Sequence, residues 1–344
     1  MKNFLLFNLS VLFLFGCKTS EISGPQIEDS APSDLIIAIG SCNKQYLQNI
    51  LWDDVLANNP KVWVWGGDNI YGDTQDMQLL QNKYENQNIQ KGYAAIKKNM
   101  RVLGTWDDHD YGLNDTGEEF PKKKESQQLF LDFFDVPEDS PRRNREGIYH
   151  SEIIRTEKGS VKIIVLDTRY FRTALNYSKE RRKRYQANKY GDGTILGEKQ
   201  WNWLKNELAE TDTDFTIILS SIQFLSRQHG FETWGNFPHE IDKMNQLLKA
   251  SKARNVIFIS GDRHISEFSK ANIDGLAYPL VEFTSSGMTH SYSAFKGEPN
   301  QYRFGNVVSD LSFGLLKFNF KTKTVTMQMR GDKNILQQEL IQSY

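Results

Sequence analysis

The sequence contains little net charge and no internal repeat. Lysine and arginine total 42 and aspartate and glutamate total 43, so the formal net charge is −1 over 344 residues. This balance gives no overall attraction to nucleic acid or to acidic membranes, so any anionic ligand must be held by a local group of residues. Hydrophobic residues make up 39% and charged residues 25%, which excludes disorder for most of the chain and predicts a large core.

Long apolar runs are also missing, apart from one at the N-terminus. The mostly apolar residues 4–15 are too few for a comfortable membrane span but are typical of a signal peptide. Residues 14–17, which end at Cys17, resemble the lipobox of bacterial lipoproteins. We therefore expect a lipoprotein-type signal over residues 1–17, acylation of Cys17 and a flexible tether over residues 18–33. Ordinary cleavage or an uncleaved anchor is the alternative.

Cysteine is scarce, since only Cys17 and Cys42 are present. If Cys17 is acylated, the exported chain keeps one thiol and cannot form an internal disulfide bond. Cys42 is then either a small buried hydrophobic residue or a metal ligand. Residues 34–344 are expected to form a single domain.

Short apolar runs alternate with helical patterns through this domain. The strand-like runs lie at residues 35–39, 62–65, 161–166, 215–219 and 256–260, and a sixth, short run lies at residues 101–104. Helical spacing appears at residues 50–57, 78–100, 123–134, 197–209 and 241–250. The pattern predicts an α/β fold whose strands are buried on both faces. Residues 315–320 and 325–329 predict a hairpin that completes a second sheet.

Polar side chains that can bind metals begin where six apolar runs end. These stretches are Gly40-Ser41-Cys42-Asn43, Gly66-Gly67-Asp68-Asn69-Ile70-Tyr71, Asp107 to Asp110, Asp167-Thr168-Arg169, Ser220-Ser221-Ile222-Gln223 and Gly261-Asp262-Arg263-His264. A strand-ending turn would explain any one stretch, but the carboxyl ends of strands in α/β sheets share one edge, where ligands bind. We therefore expect the six stretches to converge. One of them packs three carboxylates around His109, which is costly unless a cation neutralises them.

Three of these stretches resemble blocks of the calcineurin-like metallophosphoesterases. They are Gly67 to Tyr71, Trp106 to Asp110 and Gly261 to His264, in that order. Residues 40–45, 166–171, 234–240 and 284–287 are similar to the PhoD-like branch, the alkaline phosphatase D family. The resemblance covers about residues 35–330. It implies a four-layer α/β/β/α sandwich and metal-dependent hydrolysis of phosphate esters.

The resemblance also implies roles for individual residues. The implied metal ligands are Cys42, Asp68, Tyr71, Asp107, Asp108, Asp262 and His264. Asp68 would bridge two metals, and His109 would protonate the leaving group. Gln223 stands where the superfamily has another histidine. His239 and His290 either contact the ligands from behind or the substrate, or are structural histidines.

The donor types indicate which metals fit. A thiolate and a phenolate suit iron, whereas a carboxylate-rich neighbour suits calcium or magnesium. The resemblance implies iron plus calcium, and a pair of zinc or manganese ions is also compatible with the sequence. Arg169 and Arg263 would each either clamp a phosphate group or pair with surplus carboxylates of the site.

A basic run, residues 179–184, lies in a long polar insertion. It would either attract an acidic polymer or lipid headgroup, or form a solvated loop, which is the interpretation we prefer.

The predicted function is metal-dependent hydrolysis of extracytoplasmic phosphate esters by a monomer anchored to the membrane through lipidated Cys17. The expected location is the periplasmic or cell-surface side of the membrane. No nucleic-acid partner is expected. The alternatives are a phospholipase that acts on lipid headgroups and a non-catalytic lipoprotein that binds sugars or metal.

Overall fold

Fifteen strands and seven helices make up the part of the chain that the computed structural model describes, residues 33–210 and 212–344. The strands are β1 Leu35–Gly40, β2 Val62–Gly66, β3 Arg101–Thr105, β4 His150–Arg155, β5 Ser160–Val165, β6 Asn176–Tyr177, β7 Tyr185–Gln186, β8 Phe215–Leu219, β9 Val256–Ser260, β10 Ser266–Ala271, β11 Leu280–Ser285, β12 Arg303–Val308, β13 Phe313–Asn319, β14 Thr324–Arg330 and β15 Leu336–Ser343. The helices are α1 Trp52–Ala57, α2 Met77–Ile89, α3 Lys91–Asn99, α4 Asp108–Tyr111, α5 Lys123–Phe133, α6 Gly197–Ala209 and α7 Pro238–Ala250.

The predicted signal peptide, residues 1–17, and all but the last residue of the tether, 18–33, lie outside the described residues. Within the described ranges, no helix combines the length and the apolar character needed to cross a membrane.

Two large mixed sheets carry the fold. The first contains six strands in the order β15-β14-β13-β1-β2-β3, and the second contains seven in the order β12-β10-β11-β9-β8-β5-β4. Strands β1, β2 and β3 run parallel to one another, as do β5, β8, β9 and β11. Their carboxyl ends therefore lie along shared sheet edges. Strands β6 and β7 form a separate two-stranded ribbon.

The apolar runs form strands because both faces of each sheet are covered. In β8, Ile217 belongs to the core between the two sheets, whereas its neighbour Ile218 packs in a second cluster with Trp201 of α6 and Met244 of α7. Successive side chains of a strand point to opposite faces, so a strand buried on both sides is apolar throughout. The α/β fold and its four-layer arrangement are confirmed.

The outer face of the first sheet is covered by aromatic packing. The indole of Trp52 in α1 lies 5.1 Å from the ring of Trp63 and 5.7 Å from that of Trp65, both in β2. Tyr93 of α3 accepts a hydrogen bond from Nε1 of Trp65 at 3.2 Å. This aromatic cluster fixes α1 and α3 on the sheet and thereby the loops that precede them.

Two predicted elements differ in detail from the structure. The helix expected over residues 78–100 is two helices, because Gln90 is extended (φ −60°, ψ 123°) and ends α2 before α3 begins. The break brings Gly92 against Trp52, where a Cβ atom would approach the ring to 2.4 Å. The C-terminal hairpin exists as β13 and β14, but it pairs with β1 and so extends the first sheet.

Candidate metal centre

The strand-end stretches converge as the topology requires. A Cβ atom on Gly261, after β9, would lie 2.6 Å from the carbonyl oxygen of Gly66 at the end of β2, and 2.5 Å from Oγ of Ser41 after β1. Gly67, with φ +98°, lies just as close to Asp107, whose Cβ would be 2.6 Å from an added Cβ. Only glycine fits at these positions: Gly261 lies against loops of the other sheet, and Gly67 lies against the neighbouring loop of its own sheet.

The backbone is strained at several of the predicted ligands. Cys42, Asp68, Asp262 and His264 have φ values of 61°, 52°, 67° and 54°, in the left-handed region that non-glycine residues seldom adopt. Such conformations persist where the surrounding structure imposes them, and they concentrate at functional sites. In each case the left-handed residue lies in the turn directly after a parallel strand.

One group of donors surrounds Asp68 on the side of β1. Oδ2 of Asp68 lies 3.4 Å from Sγ of Cys42 and 3.1 Å from Oη of Tyr71, and that Oη lies 3.0 Å from Nε2 of His264. The donor atoms of Cys42, Asp68 and His264 lie within 4.8 Å of one another. His290 joins this group, with Nε2 3.1 Å from Oη of Tyr71. The structure thus brings together a thiol, a carboxyl, a phenol and imidazoles.

A second group shares Asp68 and lies on the side of β3. Asp68, Asp108 and His109 place one donor atom each within 4.8 Å of one another. The turn into α4 positions this group, because Oδ1 of Asp110 accepts a hydrogen bond from the backbone N–H of Asp107 at 2.6 Å. Oδ1 of Asp108 accepts from the N–H of His109 at 2.9 Å. Asp68 is therefore common to both groups, as expected of a bridging ligand.

Asp107 is held by a buried arginine. Its Oδ1 accepts hydrogen bonds from Nε (2.6 Å) and Nη2 of Arg169 and from Oγ of Ser221 (2.8 Å), while its Oδ2 is buried and has no hydrogen-bond partner among the described residues. Arg169 has no exposed surface, and its Nη1 is 2.6 Å from Oε2 of Glu232. Of the two roles considered for Arg169, the geometry supports pairing with a carboxylate of the site.

Burial and mutual repulsion raise the pKa values of several acidic groups in the site. Burial raises the pKa of Asp107 to about 6, even though Arg169 opposes the shift. Burial, with nearby negative charge, also holds the pKa values of Asp68 and Asp262 well above the usual range. Burial raises the pKa of the Cys42 thiol to about 12. Buried anionic groups of this kind are stable as anions only beside a cation, so the site has the electrostatics of a metal centre.

His109 has the opposite character. Burial would lower the pKa of this imidazole, but the carboxylates of Asp68, Asp108 and Asp73 outweigh burial and raise the pKa to about 11. Nδ1 of His109 lies 2.6 Å from Oδ1 of Asp73, and the ring stacks on Tyr71 with centroids 4.2 Å apart. The imidazole is thus oriented by one carboxylate while its Nε2 remains available.

Two other predicted positions lie outside the donor groups. Nε2 of Gln223 donates to Oε1 of Glu267 and to Oγ1 of Thr284, both at 2.9 Å. His239 lies 3.1 Å from the carbonyl oxygen of Gly193. Both residues therefore serve as structural contacts in this fold.

Arg263 lies at the rim of the site. Its Nη2 is 2.8 Å from Oε2 of Glu298, and its guanidinium lies over the ring of Phe231 at 4.4 Å. Together with Asp262 and His264, Arg263 lines a cleft of about 240 Å³ that opens from the donor groups.

Three residues of the site had not been singled out from the sequence. Asp73 holds His109, Glu232 holds Arg169, and Oε1 of Glu232 also pairs with Nε of Arg172 at 2.8 Å. Asp115 donates its N–H to Oδ2 of Asp108 at 2.7 Å. All three lie in loops away from strand ends, so strand-end position could not have revealed them. Asp73 alone had a local signal, since it follows the Gly67 to Tyr71 stretch by two residues.

The family model of PhoD-like phosphatases matches residues 37–339. The chain belongs to the PhoD-like phosphatase family. Alkaline phosphatase D of Bacillus subtilis is 24% identical over 118 residues, which are 32% of this chain and 20% of that relative. The predicted family is therefore confirmed, and it is a family of phosphatases, in agreement with the predicted enzyme class, the phosphoric ester hydrolases.

Solved structures agree with this PhoD-like assignment at the level of the fold. A structure of PhoD aligns with 91% of this chain and 69% of its own, at a TM-score of 0.70 and 15% identity. GAP50, the anchor in the inner membrane complex of Plasmodium, aligns over 91% of this chain and 89% of its own (TM-score 0.58, 13% identity). A dimetal phosphatase from Danio rerio aligns over 91% of this chain and 100% of its own (TM-score 0.53, 14% identity).

Membership of the PhoD-like family implies bound metal ions, and the residues present fit them. Buried oxygens with no hydrogen-bond partner among the described residues include Oδ1 of Asp68 and Oδ2 of Asp107. An unpaired carboxylate oxygen in a buried site is costly unless it faces a cation. The two donor groups around Asp68 supply such sites side by side.

Proposed function

We propose that this PhoD-like protein is a metal-dependent phosphoesterase that hydrolyses phosphate monoesters or diesters outside the cytoplasm. The observation that carries the proposal is the place of Asp68 in both donor groups. A carboxylate shared between two donor groups is the arrangement that holds two cations close enough to act on one phosphate group. A non-catalytic protein would have no use for the orientation of His109 by Asp73, whereas this orientation suits proton transfer.

The chemistry of the donors supports different ions on the two sides. Cys42, Tyr71 and His264 offer sulfur, phenol and imidazole, which suit iron. Asp107, Asp108 and Asp262 offer oxygen only, which suits calcium. Elemental analysis would show whether zinc, manganese or magnesium occupies either place instead.

The protein's own groups would bind and protonate the substrate. When bound, the cations supply Lewis acidity and a hydroxide nucleophile. Asp73 accepts from Nδ1 of His109 and so leaves Nε2 to donate a proton to the leaving-group oxygen. Arg169 and Ser221 fix one oxygen of Asp107, so that the other faces the site in one orientation. Arg263, at the rim, is placed to contact a phosphate oxygen if Glu298 releases it.

The location outside the cytoplasm is supported by the N-terminal segment. An apolar run followed by Cys17 would direct export and lipid attachment, and residues 18–33 would tether the domain to the membrane surface. Metabolic labelling with a fatty acid tests this step directly. The Cys17→Ser variant should lose the label and leave the membrane fraction.

A single set of assays tests the function. The purified protein should contain bound metal by elemental analysis and should hydrolyse bis(4-nitrophenyl) phosphate or 4-nitrophenyl phosphate, with activity lost on chelation. Bound metal without turnover of either ester or of phosphatidylcholine would instead identify a binding protein. Turnover of phosphatidylcholine alone would identify the phospholipase.

A further inference from the structure

The cleft beside the metal-ligand candidates is also lined by residues of different chemistry. Asp108, His109, Asp262 and His264 belong to the lining, and so do the basic residues Arg184 and Arg263. The remaining lining residues are aromatic, acidic or amide: Asn114, Asp115, Tyr185, Phe231, Glu232, Tyr292 and Glu298. The cleft holds about 240 Å³, which is more than one phosphate group requires. A substrate bound at the metals would therefore extend past the ligands to other lining residues.

Arg184 comes from the basic run, and the structure brings it to the cleft. The backbone N–H groups of Arg184 and Tyr185 both donate to the carbonyl oxygen of Gly230, at 2.8 and 2.9 Å. Tyr185 begins β7, which pairs with β6 and fixes the base of the insertion. The preferred interpretation of residues 179–184 as a solvated loop therefore does not hold for Arg184, because this residue is anchored at the site.

The guanidinium of Arg184 has one ion-pair partner and keeps part of its surface exposed. Its Nη1 lies 2.8 Å from Oδ2 of Asp115, and the group lies 5.4 Å from the ring centre of Tyr185. The side chain keeps 45% of its surface exposed, and an arginine has five N–H donors. A partly exposed ion pair is weak, so an incoming anion can share or replace Asp115. Arg263, by contrast, is almost covered by Glu298 and Phe231.

The surroundings of Arg184 add positive charge. Lys179, Arg181 and Arg182 lie exposed in the same insertion and have no ion-pair partner among the described residues, whereas Lys183 pairs with Glu180 at 2.6 Å. These cations do not line the cleft, but they belong to the insertion that places Arg184 in its lining. A substrate that is anionic at both ends matches this arrangement.

We propose that Arg184 binds a second anionic group of the substrate, a phosphate or carboxylate attached to the same molecule as the scissile phosphate ester. The inference rests on the proposed function, because it concerns the substrate of the same site. Arginine suits this role, since its planar fork of donors matches the two oxygens of a carboxylate or phosphate. The preferred substrate class is then a phosphate ester with at least one further negative charge.

Matched synthetic substrates test the proposal. The probes are 4-nitrophenyl phosphodiesters whose second alcohol ends in a carboxylate, with spacers of two to five methylenes, and uncharged alkyl esters of the same lengths. The metal-loaded wild-type protein should show a higher kcat/KM for a carboxylate ester than for its uncharged partner at the best spacer length. Arg184→Gln should reduce that ratio by about fivefold, mainly through KM. Arg184→Lys should restore part of it.

Two further variants separate this role from a structural one. Arg181→Gln removes the same charge from the same insertion but not from the cleft wall, and it should leave the ratio unchanged. Asp115→Asn keeps a hydrogen-bond acceptor for Tyr185 but frees the guanidinium of Arg184, so the ratio should rise. If the Arg184–Asp115 pair had only a structural role, Arg184→Gln and Asp115→Asn would instead both lower the rates on both esters.

The outcomes distinguish the two proposals. If the metal-loaded wild-type protein cleaves neither ester, the proposed function fails. If it cleaves both but the ratio in Arg184→Gln equals that of the wild type, the function stands and the role of Arg184 is refuted. An equal fall of the ratio in Arg181→Gln would show that general attraction by the basic run, and not contact with Arg184, selects the anionic ester.

Discussion

Arg169 and Asp107 form a fully buried ion pair that leaves one oxygen of the carboxylate without a hydrogen-bond partner among the described residues. Glu232 balances the second half of the guanidinium and also pairs with Arg172. This chain of charges orients Asp107, and its member Glu232 also lines the cleft. Arg169 is therefore a positioning residue, and its effect on catalysis passes through Asp107.

The first prediction follows from this pair. Arg169→Gln leaves the buried carboxylate of Asp107 without its arginine and leaves Glu232 paired with Arg172 alone, so the free energy of unfolding should fall by about 3 to 5 kcal/mol, measured by urea denaturation. The matched control is Arg101→Gln, which breaks an exposed two-point pair with Glu152 and should cost less than about 1 kcal/mol. Equal losses of unfolding free energy in the two variants would contradict the expectation that breaking a buried ion pair costs more than breaking an exposed one.

The second prediction concerns Asp68. Asp68→Ala should remove both ions and nearly all turnover while the protein stays folded, because this carboxylate belongs to both donor groups. Elemental analysis and circular dichroism provide the measurements. Asp76→Asn changes an aspartate that caps the N-terminus of α2 and belongs to neither donor group, and it should keep both metals. Full metal occupancy in Asp68→Ala would defeat the bridging assignment.

The third prediction concerns Cys42. Its Sγ lies among Asp68, Ser41 and Ser286, with Ser286 Oγ at 3.0 Å. If the thiolate is a ligand, Cys42→Ser should lower iron content more than calcium content and remove the thiolate-to-iron part of any charge-transfer absorption, because a hydroxyl is a harder and poorer donor. An unchanged metal ratio with an undiminished rate would make Cys42 a core residue.

The fourth prediction separates proton transfer from metal binding at His109. His109→Ala should slow alkyl phosphate esters by about a hundredfold to ten-thousandfold and nitrophenyl esters much less, since only the poor leaving group needs protonation. Asp73→Asn should show the same selectivity to a smaller degree. His239→Ala, which changes a histidine outside the donor groups, should affect neither ester. Loss of metal together with both activities would identify His109 as a ligand.

The fifth prediction concerns metal removal. Asp68, Asp107 and Asp108 are buried, Asp262 is half-buried, and their charges interact, so chelation should lower Tm as the carboxylates repel one another. Each ion present at a hundred times its Kd contributes about 2.7 kcal/mol to the free energy of unfolding. Re-addition of the native ions should restore Tm. An unchanged Tm in protein shown to be metal-free would indicate that the site is stable without cations.

Much of the fold could be predicted because its determinants are local. The central strands are apolar at most positions since both sheet faces are covered, and the turns after β2 and β9 carry glycine, at Gly67 and Gly261, where neighbouring loops approach closely. Parallel strands place their carboxyl ends at one edge whatever the details of packing. For this reason Cys42, Asp68 and Asp262, far apart in sequence, could be assigned to one site.

The remaining features depend on contacts between distant loops, which no local pattern encodes. Arg169 pairs with Glu232, 63 residues away, only because the loop after β8 returns across the site. The insertion that carries Arg184 looks in sequence like any solvated basic run, and its anchoring to Gly230 brings it to the cleft. The sequence by itself determined the sheets, the strand-end donors and the family. Tertiary packing alone decided which charges pair behind the ligands and which one reaches the substrate, because those partners are chosen by how the loops cross in space.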